Sequence, residues 1–438
     1  MRINEKASVT NGAVDVDTSH HDNTIRNNKV KLLSMLPLLV FIFGSLWYLP
    51  KFMQAGAISS SVAEGSVYRQ LVFGLAYLLA GMSIFRNMRY IFPLIIEQWL
   101  SVMLLVMVLG SAIWSAAAGK VLINFVHLSG AFLIALTSGF NFYHSPKIFF
   151  RRLGLLLLVT LCFSIVISVI MPIYGQMFIG DRFRWVGVGT HPNHLGIAGA
   201  VGVWSALALY QIGDAAKDRL LAVLVLVVSF VAIIGANSVT SLIVASAMVF
   251  WFLFVGKSTN QKSIIIRAML GVFVATILVL LVYILAPELL GLKALFGTVG
   301  RSENLTGRTE LWGIAFKAIQ ERILFGWGYD SLISLGSRFG ISYGQFHNGY
   351  LDLLVRGGAI SLVLVIVMLV TGLVNGYRSW SHSPKIVITA LGMCFFVILH
   401  NVTEASIVRP AHLLWLLLLT AVVALGLCNC ERRKPRTQ

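Results

Sequence analysis

The sequence predicts an all-α polytopic membrane protein of about twelve transmembrane helices, with one large polar loop between the ninth and the tenth. Three observations lead there. Apolar residues make up 58% of the chain and charged residues only 12%, about half the charged share of a soluble domain. Apolar runs near the ~20 residues that cross a bilayer recur along the chain. Lys and Arg collect in alternate connections between these runs. Such a chain spends its length on spans rather than on several soluble domains.

The runs fall near 32–50, 67–85, 92–114, 121–140, 153–172, 192–211, 219–236, 239–256, 264–286, 349–374, 385–401 and 411–428. Aromatic residues that suit a membrane interface mark many predicted ends, among them Trp47, Tyr48, Trp114, Tyr210, Trp251, Tyr283 and Tyr377. An even number of spans puts both termini on one side. That side holds 21 of the 34 basic residues, including the N-terminal and C-terminal tails and the 145–152, 217–219 and 257–267 connections. The charge rule makes that side cytoplasmic. The net charge of +17 is mostly this bias, so no nucleic-acid partner is implied. Residues 1–31 read as a disordered cytoplasmic tail, 32–428 as the transmembrane domain and 429–438 as a basic cytoplasmic tail. The first apolar run has no small-residue cleavage site, so no signal peptide is expected. Cys162 and Cys394 fall within spans and Cys428 and Cys430 at the cytoplasmic end, so no disulfide framework is expected.

Basic residues on the outer side run against the insertion bias. Arg182 and Arg184 follow the fifth span; Lys293, Arg301, Arg308, Lys317, Arg322 and Arg338 lie in the 287–347 loop. An anionic ligand is one reason to keep them there. The bland alternative is that long loops translocate whatever their charge.

In residues 181–196, Arg182 and Arg184 alternate with Phe183 and Trp185, so an extended segment puts both arginines on one face. Pro192 suits the first turn of the sixth span and leaves His191 near its cap. Arginines beside a helix N-terminus suit a phosphate. A basic-aromatic belt holding the loop to lipid headgroups fits the same residues equally well. In residues 300–328, Thr306 can cap a helix whose Leu311, Trp312, Ala315, Ile319 and Ile323 fall at helical spacing. That pattern predicts an amphipathic helix on the membrane surface, ended by Phe325-Gly326-Trp327-Gly328. Arg308 at its start opposes the helix dipole, which makes it a better functional candidate than Lys317 or Arg322.

His347 and Asn348 open the tenth span. Either can cap that helix; an imidazole there is also suited to proton transfer near neutral pH. Asp352, Arg356, His400, Asn401, Glu404 and Arg409 supply partners on the same side, with Glu404 and Arg409 readable as a simple ion pair.

Arg184 with Gly187 and His191-Pro192-Asn193, Gly307-Arg308 with Leu311-Trp312, Gly326 and Gly328, and His347-Asn348-Gly-Tyr-Leu351 with Leu354 and Gly357 together resemble the O-antigen ligase-related superfamily. It contains O-antigen ligases, O-antigen and exopolysaccharide polymerases, and protein O-oligosaccharyltransferases. The resemblance covers roughly residues 180–410. It implies a glycosyltransferase that uses neither metal nor cofactor, whose donor is an undecaprenyl-diphosphate-linked oligosaccharide at the periplasmic face. Its implied partners are that donor, an acceptor glycan or lipid, membrane lipids and other polysaccharide export proteins. By motif match, Arg184 and Arg308 would grip the diphosphate, and His347 would orient or deprotonate the acceptor hydroxyl. Glu404 matches a carboxylate before the last span, and Asn193, Asn348 and Trp312 would support the site. One departure stands out: Val239 occupies a position where many members carry an arginine. Arg182 or Arg301 is expected to take over that contact.

The residues suit this chemistry without the resemblance. A diphosphate is already an activated leaving group and needs its charge neutralised, which fixed arginines can do. The acceptor hydroxyl needs at most one base. Three functions follow: polymerisation of repeat units, ligation to lipid A-core or a protein, and flipping of a polysaccharide or lipid carrier. A flippase would place charges in a cavity between spans. Here the spans are nearly free of charge, which favours an enzyme. The Val239 departure tilts the reading toward polymerase.

Overall fold

A computed structural model describes residues 35–53, 66–179, 182–256, 306–340 and 344–433. The predicted tail 1–31, the ninth span 264–286, Arg301 and the first part of the 287–347 loop lie outside these residues. The chain is a multi-pass membrane protein. Among the described residues, eight helices are long and apolar enough to cross a bilayer: Met35–Phe52, Val67–Arg86, Ala118–His144, Pro146–Ile170, Pro192–Ile212, Ala216–Gly235, Gly349–Ser379 and Leu413–Cys430. Two further apolar helices, Val239–Phe254 and Pro384–His400, are shorter. The third predicted span is not one straight helix. It is a pair, Met88–Glu97 and Trp99–Ile113, bent by 75°. Pro93 lies in its first half, and the polar pair Glu97-Gln98 lies at the bend. Among the described residues the fold also departs from all-α at one point, a two-stranded antiparallel hairpin of β1 (Gln176–Ile179) and β2 (Arg182–Trp185).

The helices used below are α1 (Pro192–Ile212), α2 (Ala216–Gly235), α3 (Val239–Phe254), α4 (Thr306–Glu321), α5 (Gly349–Ser379), α6 (Pro384–His400) and α7 (Leu413–Arg433). Helix α1 packs against α2, α3 and the Pro146–Ile170 helix. It begins because His191 caps it and Pro192 occupies its first turn. Its small residues let neighbours approach closely: a Cβ on Gly202 would strike Ser229 Oγ, and one on Gly199 would strike Ile233. This is the small-residue packing expected where no hydrophobic drive separates helix from lipid. Among the described candidate spans α7 is the most enclosed, whereas Val67–Arg86 and α2 bury the smallest share of their residues.

Helix α5 is broken at Gly358, whose φ of +64° an L side chain rarely adopts. The freed backbone groups are taken by the loop that follows α4. Ala359 N donates to Ile323 O at 2.8 Å, Trp327 N to Val355 O at 2.8 Å and Gly328 N to Arg356 O at 2.9 Å. That accounts for Gly326: a Cβ there would lie 2.6 Å from the Arg356 carbonyl. The first part of α5 therefore belongs with the loop rather than with the bundle. Leu311, Ala315, Ala318, Trp327, Leu335, Phe346 and Val355 close a second hydrophobic core around it, separate from the main one.

At the opposite end of the bundle, Asp218 is fully buried and takes Arg151 Nε at 2.7 Å and Lys147 Nζ at 3.4 Å. Among the described residues, the four cysteines form no disulfide.

Candidate active site

The site gathers where β2, the start of α1, the start of α5 and the turn after α6 meet. Residues 182–185 are extended, as strand β2, with Arg184 paired to Met177 and Arg182 to Ile179. Arg184 reaches across to the turn between α2 and α3: its Nε donates to Ala236 O at 2.9 Å. Its Nη2 donates to Asn193 Oδ1 at 3.0 Å. Asn193 passes the contact on, donating from Nδ2 to Glu404 Oε1 at 3.0 Å. The other carboxylate oxygen, Oε2, lies 3.2 Å from His347 Nδ1. Four residues spread over 221 positions of sequence thus form one hydrogen-bonded chain, Arg184–Asn193–Glu404–His347.

Each member is held from outside. Asn348, not His347, caps α5: its Oδ1 accepts from Tyr350 N and Leu351 N, both at 3.1 Å. His347 sits just before that cap with a φ of +52°. The segment before it is fixed by Asp352, which accepts from Phe346 N at 2.7 Å and from Arg356 Nε at 3.1 Å. Arg356 in turn donates to Gly344 O at 3.0 Å, and Trp312 Nε1 donates to Phe346 O at 2.9 Å. The Glu404 turn is pinned by buried Asn401. Its Oδ1 accepts from Ser406 N and Ile407 N, and its carbonyl accepts from Gly349 N. Buried Lys51 supports the 187–189 turn by donating to the carbonyls of Tyr174, Gly187 and Gly189.

The electrostatics follow from this packing. Burial lowers the His191 pKa and the nearby Arg184 lowers it further, with Glu404 opposing and His347 adding a smaller depression. Burial also lowers Arg184, against the pull of Glu404. His191 is therefore a neutral cap, its Nδ1 accepting from Asn193 N at 3.1 Å. In the tautomer whose Nδ1–H is donated to Glu404, His347 keeps a lone pair on Nε2 and can take a proton there. Glu404 would then stabilise the resulting imidazolium.

Of the residues singled out from sequence, Arg184, Asn193, His347 and Glu404 converge, while Asn348 and Trp312 hold the His347 segment. Arg182 lies at the tip of the hairpin, two residues before Arg184. Arg308 lies in α4, described from Thr306 onward. Val239 is the first residue of α3 and adjoins the segment that Arg184 contacts. Next to it, Thr240 Oγ1 is 2.8 Å from Thr403 Oγ1, so the departing position borders the site. Arg409 bonds the Gln345 side-chain oxygen. Gln345 Nε2 lies 3.4 Å from His347 Nδ1. Neither Gln345 nor Lys51 was marked by any sequence signal. Among the described residues, no three His, Cys, Asp or Glu group to hold a metal ion.

The O-antigen ligase family model matches residues 224–366. That stretch contains Arg308, Trp312, His347 and Asn348, and leaves out Arg184, Asn193 and Glu404. The chain is also 26% identical over 276 residues to the exopolysaccharide production protein ExoQ of Rhizobium meliloti. This similarity covers 56% of the chain and 59% of that protein's length.

Proposed function

The chain belongs to the O-antigen ligase-related superfamily, and from that premise we propose that it transfers an oligosaccharide from undecaprenyl diphosphate to a sugar hydroxyl, at the periplasmic face. The product would be a longer exopolysaccharide or O-antigen chain. The observation that carries this reading is the hydrogen-bonded chain joining Arg184 through Asn193 and Glu404 to His347. It puts a guanidinium suited to phosphate and an imidazole backed by a carboxylate in one rigid set.

The reaction balances without a further reactant. The acceptor oxygen attacks the anomeric carbon and its proton passes to His347 Nε2. The bond from that carbon to the phosphate oxygen breaks, and the diphosphate leaves with the electron pair. Arg184 and Arg308 neutralise the charge that develops on it. Arg182 and Arg301 are the basic residues proposed to stand in for the arginine absent at Val239. The membrane-facing helices and the outer arginines suit a substrate held by a lipid tail and an anionic head.

Polymerase is favoured over ligase by the exopolysaccharide relative; the family model's description favours ligase. One experiment separates them. Purified protein given an undecaprenyl-diphosphate-linked repeat unit alone should produce a ladder of longer lipid-linked glycans and release undecaprenyl diphosphate. No ladder, with product appearing only when lipid A-core is supplied, would make it a ligase. Transport of the lipid-linked unit across a vesicle membrane without any new glycosidic bond would make it a flippase.

A further inference from the structure

Arg409 lies in the turn between α6 and α7 and is half-buried. Its Nη1 donates to the Gln345 side-chain oxygen and, at 3.5 Å, to Ala405 O. Both partners are neutral, and no carboxylate is ion-paired with Arg409 among the described residues. A guanidinium has five N–H donors, so most of this one's capacity is open. Withdrawing a cation partly from water without an opposing charge is unfavourable unless an anion arrives to pair with it.

The surroundings also lack their partners. His400 is 2% exposed, and its Nε2 has no hydrogen-bond partner. Its Nδ1 lies 3.4 Å from Ser406 Oγ, in the same turn as Arg409. Buried His194 Nδ1, one helical turn into α1, is likewise unpartnered. His412, three residues beyond Arg409, has its pKa depressed well below the ordinary imidazole range by burial first and then by the Arg409 charge. Glu404 is the one carboxylate in the His347 contact chain, and it is already shared by Asn193 and His347.

The contacts run in the order Arg184, Asn193, Glu404, His347, Gln345, Arg409. The two arginines are the ends and the base is between them. We propose that Arg409, aimed by Gln345, is a further anion-binding point of this site, beyond the arginines already proposed to hold the diphosphate. It would take phosphate or carboxylate oxygens of a substrate at the opposite end of the contact chain from Arg184. This rests on the reading of the site as a glycan-transfer centre. The shared chemistry is an anionic oxygen. Its source is either the donor diphosphate or an acidic sugar of the acceptor.

Full-length protein in lipid nanodiscs would be titrated with undecaprenyl diphosphate, with a glucuronate-bearing oligosaccharide and with its neutral counterpart. Arg409→Gln should weaken one of the two anionic probes by about 10-fold or more and leave the neutral one unchanged, with Arg409→Lys falling between. Loss confined to undecaprenyl diphosphate assigns the contact to the donor; loss confined to the acidic oligosaccharide assigns it to the acceptor. If Arg409→Gln does not fold, Arg409→Lys carries the test through the fork geometry it lacks, with a several-fold loss expected. Both anions bound normally by the Arg409 variants, while Arg184→Ala loses undecaprenyl diphosphate, would overturn the Arg409 point and keep the Arg184 one. Normal binding in Arg184→Ala as well would overturn both.

Discussion

Replacing Glu404 by glutamine tests whether the His347 pair performs proton transfer or only braces the turn. The side chains are nearly the same shape, so packing is kept while the charge is lost. Two effects add. As His347 takes the acceptor proton, the imidazolium gains attraction to a carboxylate 3.2 Å from Nδ1. A unit pair at about 4 Å in an effective dielectric of ~20 is worth about 4 kcal/mol. The His347 side chain is 32% exposed against 10% for Glu404, and solvent screening brings that to roughly 2 kcal/mol. Glutamine also offers one acceptor where Asn193 and His347 each present a donor, so one contact is lost, at about 1–2 kcal/mol. Together these predict a slowing of about 3–4 kcal/mol, or roughly 10²–10³-fold. The assay is single-turnover release of undecaprenyl diphosphate at saturating donor, with donor binding measured separately by native mass spectrometry. Turnover should fall while donor binding stays near normal. His347→Asn should lose about 10²–10⁴-fold, because Asn348 already caps α5 and a second capping residue rescues nothing. Wild-type turnover in both variants would refute the base assignment and leave this pair a structural brace.

The remaining expectations concern the grip, the scaffold and the acid response. Arg184→Ala should abolish polymer at normal protein level, and Arg184→Lys should restore only part of it because lysine lacks the fork that serves Ala236 O and Asn193 together; polymer length on a gel reads this out. Asp352→Asn breaks a buried pair that holds the His347 segment and should destabilise the protein by about 3–5 kcal/mol, seen as a lower melting temperature in detergent. The His412 pKa is depressed in the fold, so its contribution to stability is complete above the unfolded value near ~6.5 and is lost as pH falls toward the folded value. Melting temperature should therefore drop on acidification, and His412→Asn, which can still cap Leu414 N, should flatten that drop. Activity should persist in excess chelator, since arginines are proposed to neutralise the leaving group; loss restored by magnesium would contradict this.

Sequence made eight spans legible because hydropathy and helix length are local properties. It also made the His191 cap legible, since Pro192 is a local signal, but the hairpin of β1 and β2 was not expected in an all-α fold. The bend at Gln98 was less so, because a run of apolar residues continues on both sides of it. Side-chain pairing was legible only in part. Arg409 and Glu404, five residues apart, invite an ion pair, yet Arg409 bonds Gln345, 64 positions away. Glu404 serves Asn193, 211 positions away. Such contacts depend on how helix ends meet, and no periodicity encodes that. Gly357 was visible in a motif, but its neighbour Gly358 was not, because its reason is tertiary: Gly358 opens α5 so that the 323–328 loop can bond to it.

That break bears on how the chemistry is divided. The His347 segment stands on a short piece of α5 clamped by its own hydrophobic core and by the loop, all within the stretch that the family model matches. Arg184, Asn193, Glu404 and Arg409 come from outside it. A polymerase and a ligase need the same base and the same leaving-group neutralisation; they differ in the acceptor. The matched unit holds His347 and Arg308, while Arg184 and Glu404, proposed for the same shared steps, join it from outside. Acceptor choice would fall to the rest of the turn after α6, beyond Asn401 and Glu404. Exchanging the rest of the 401–412 turn between a polymerase and a ligase, with Asn401 and Glu404 kept, should then alter the acceptor while leaving donor cleavage in place. Loss of donor cleavage in a folded exchange would place acceptor choice elsewhere.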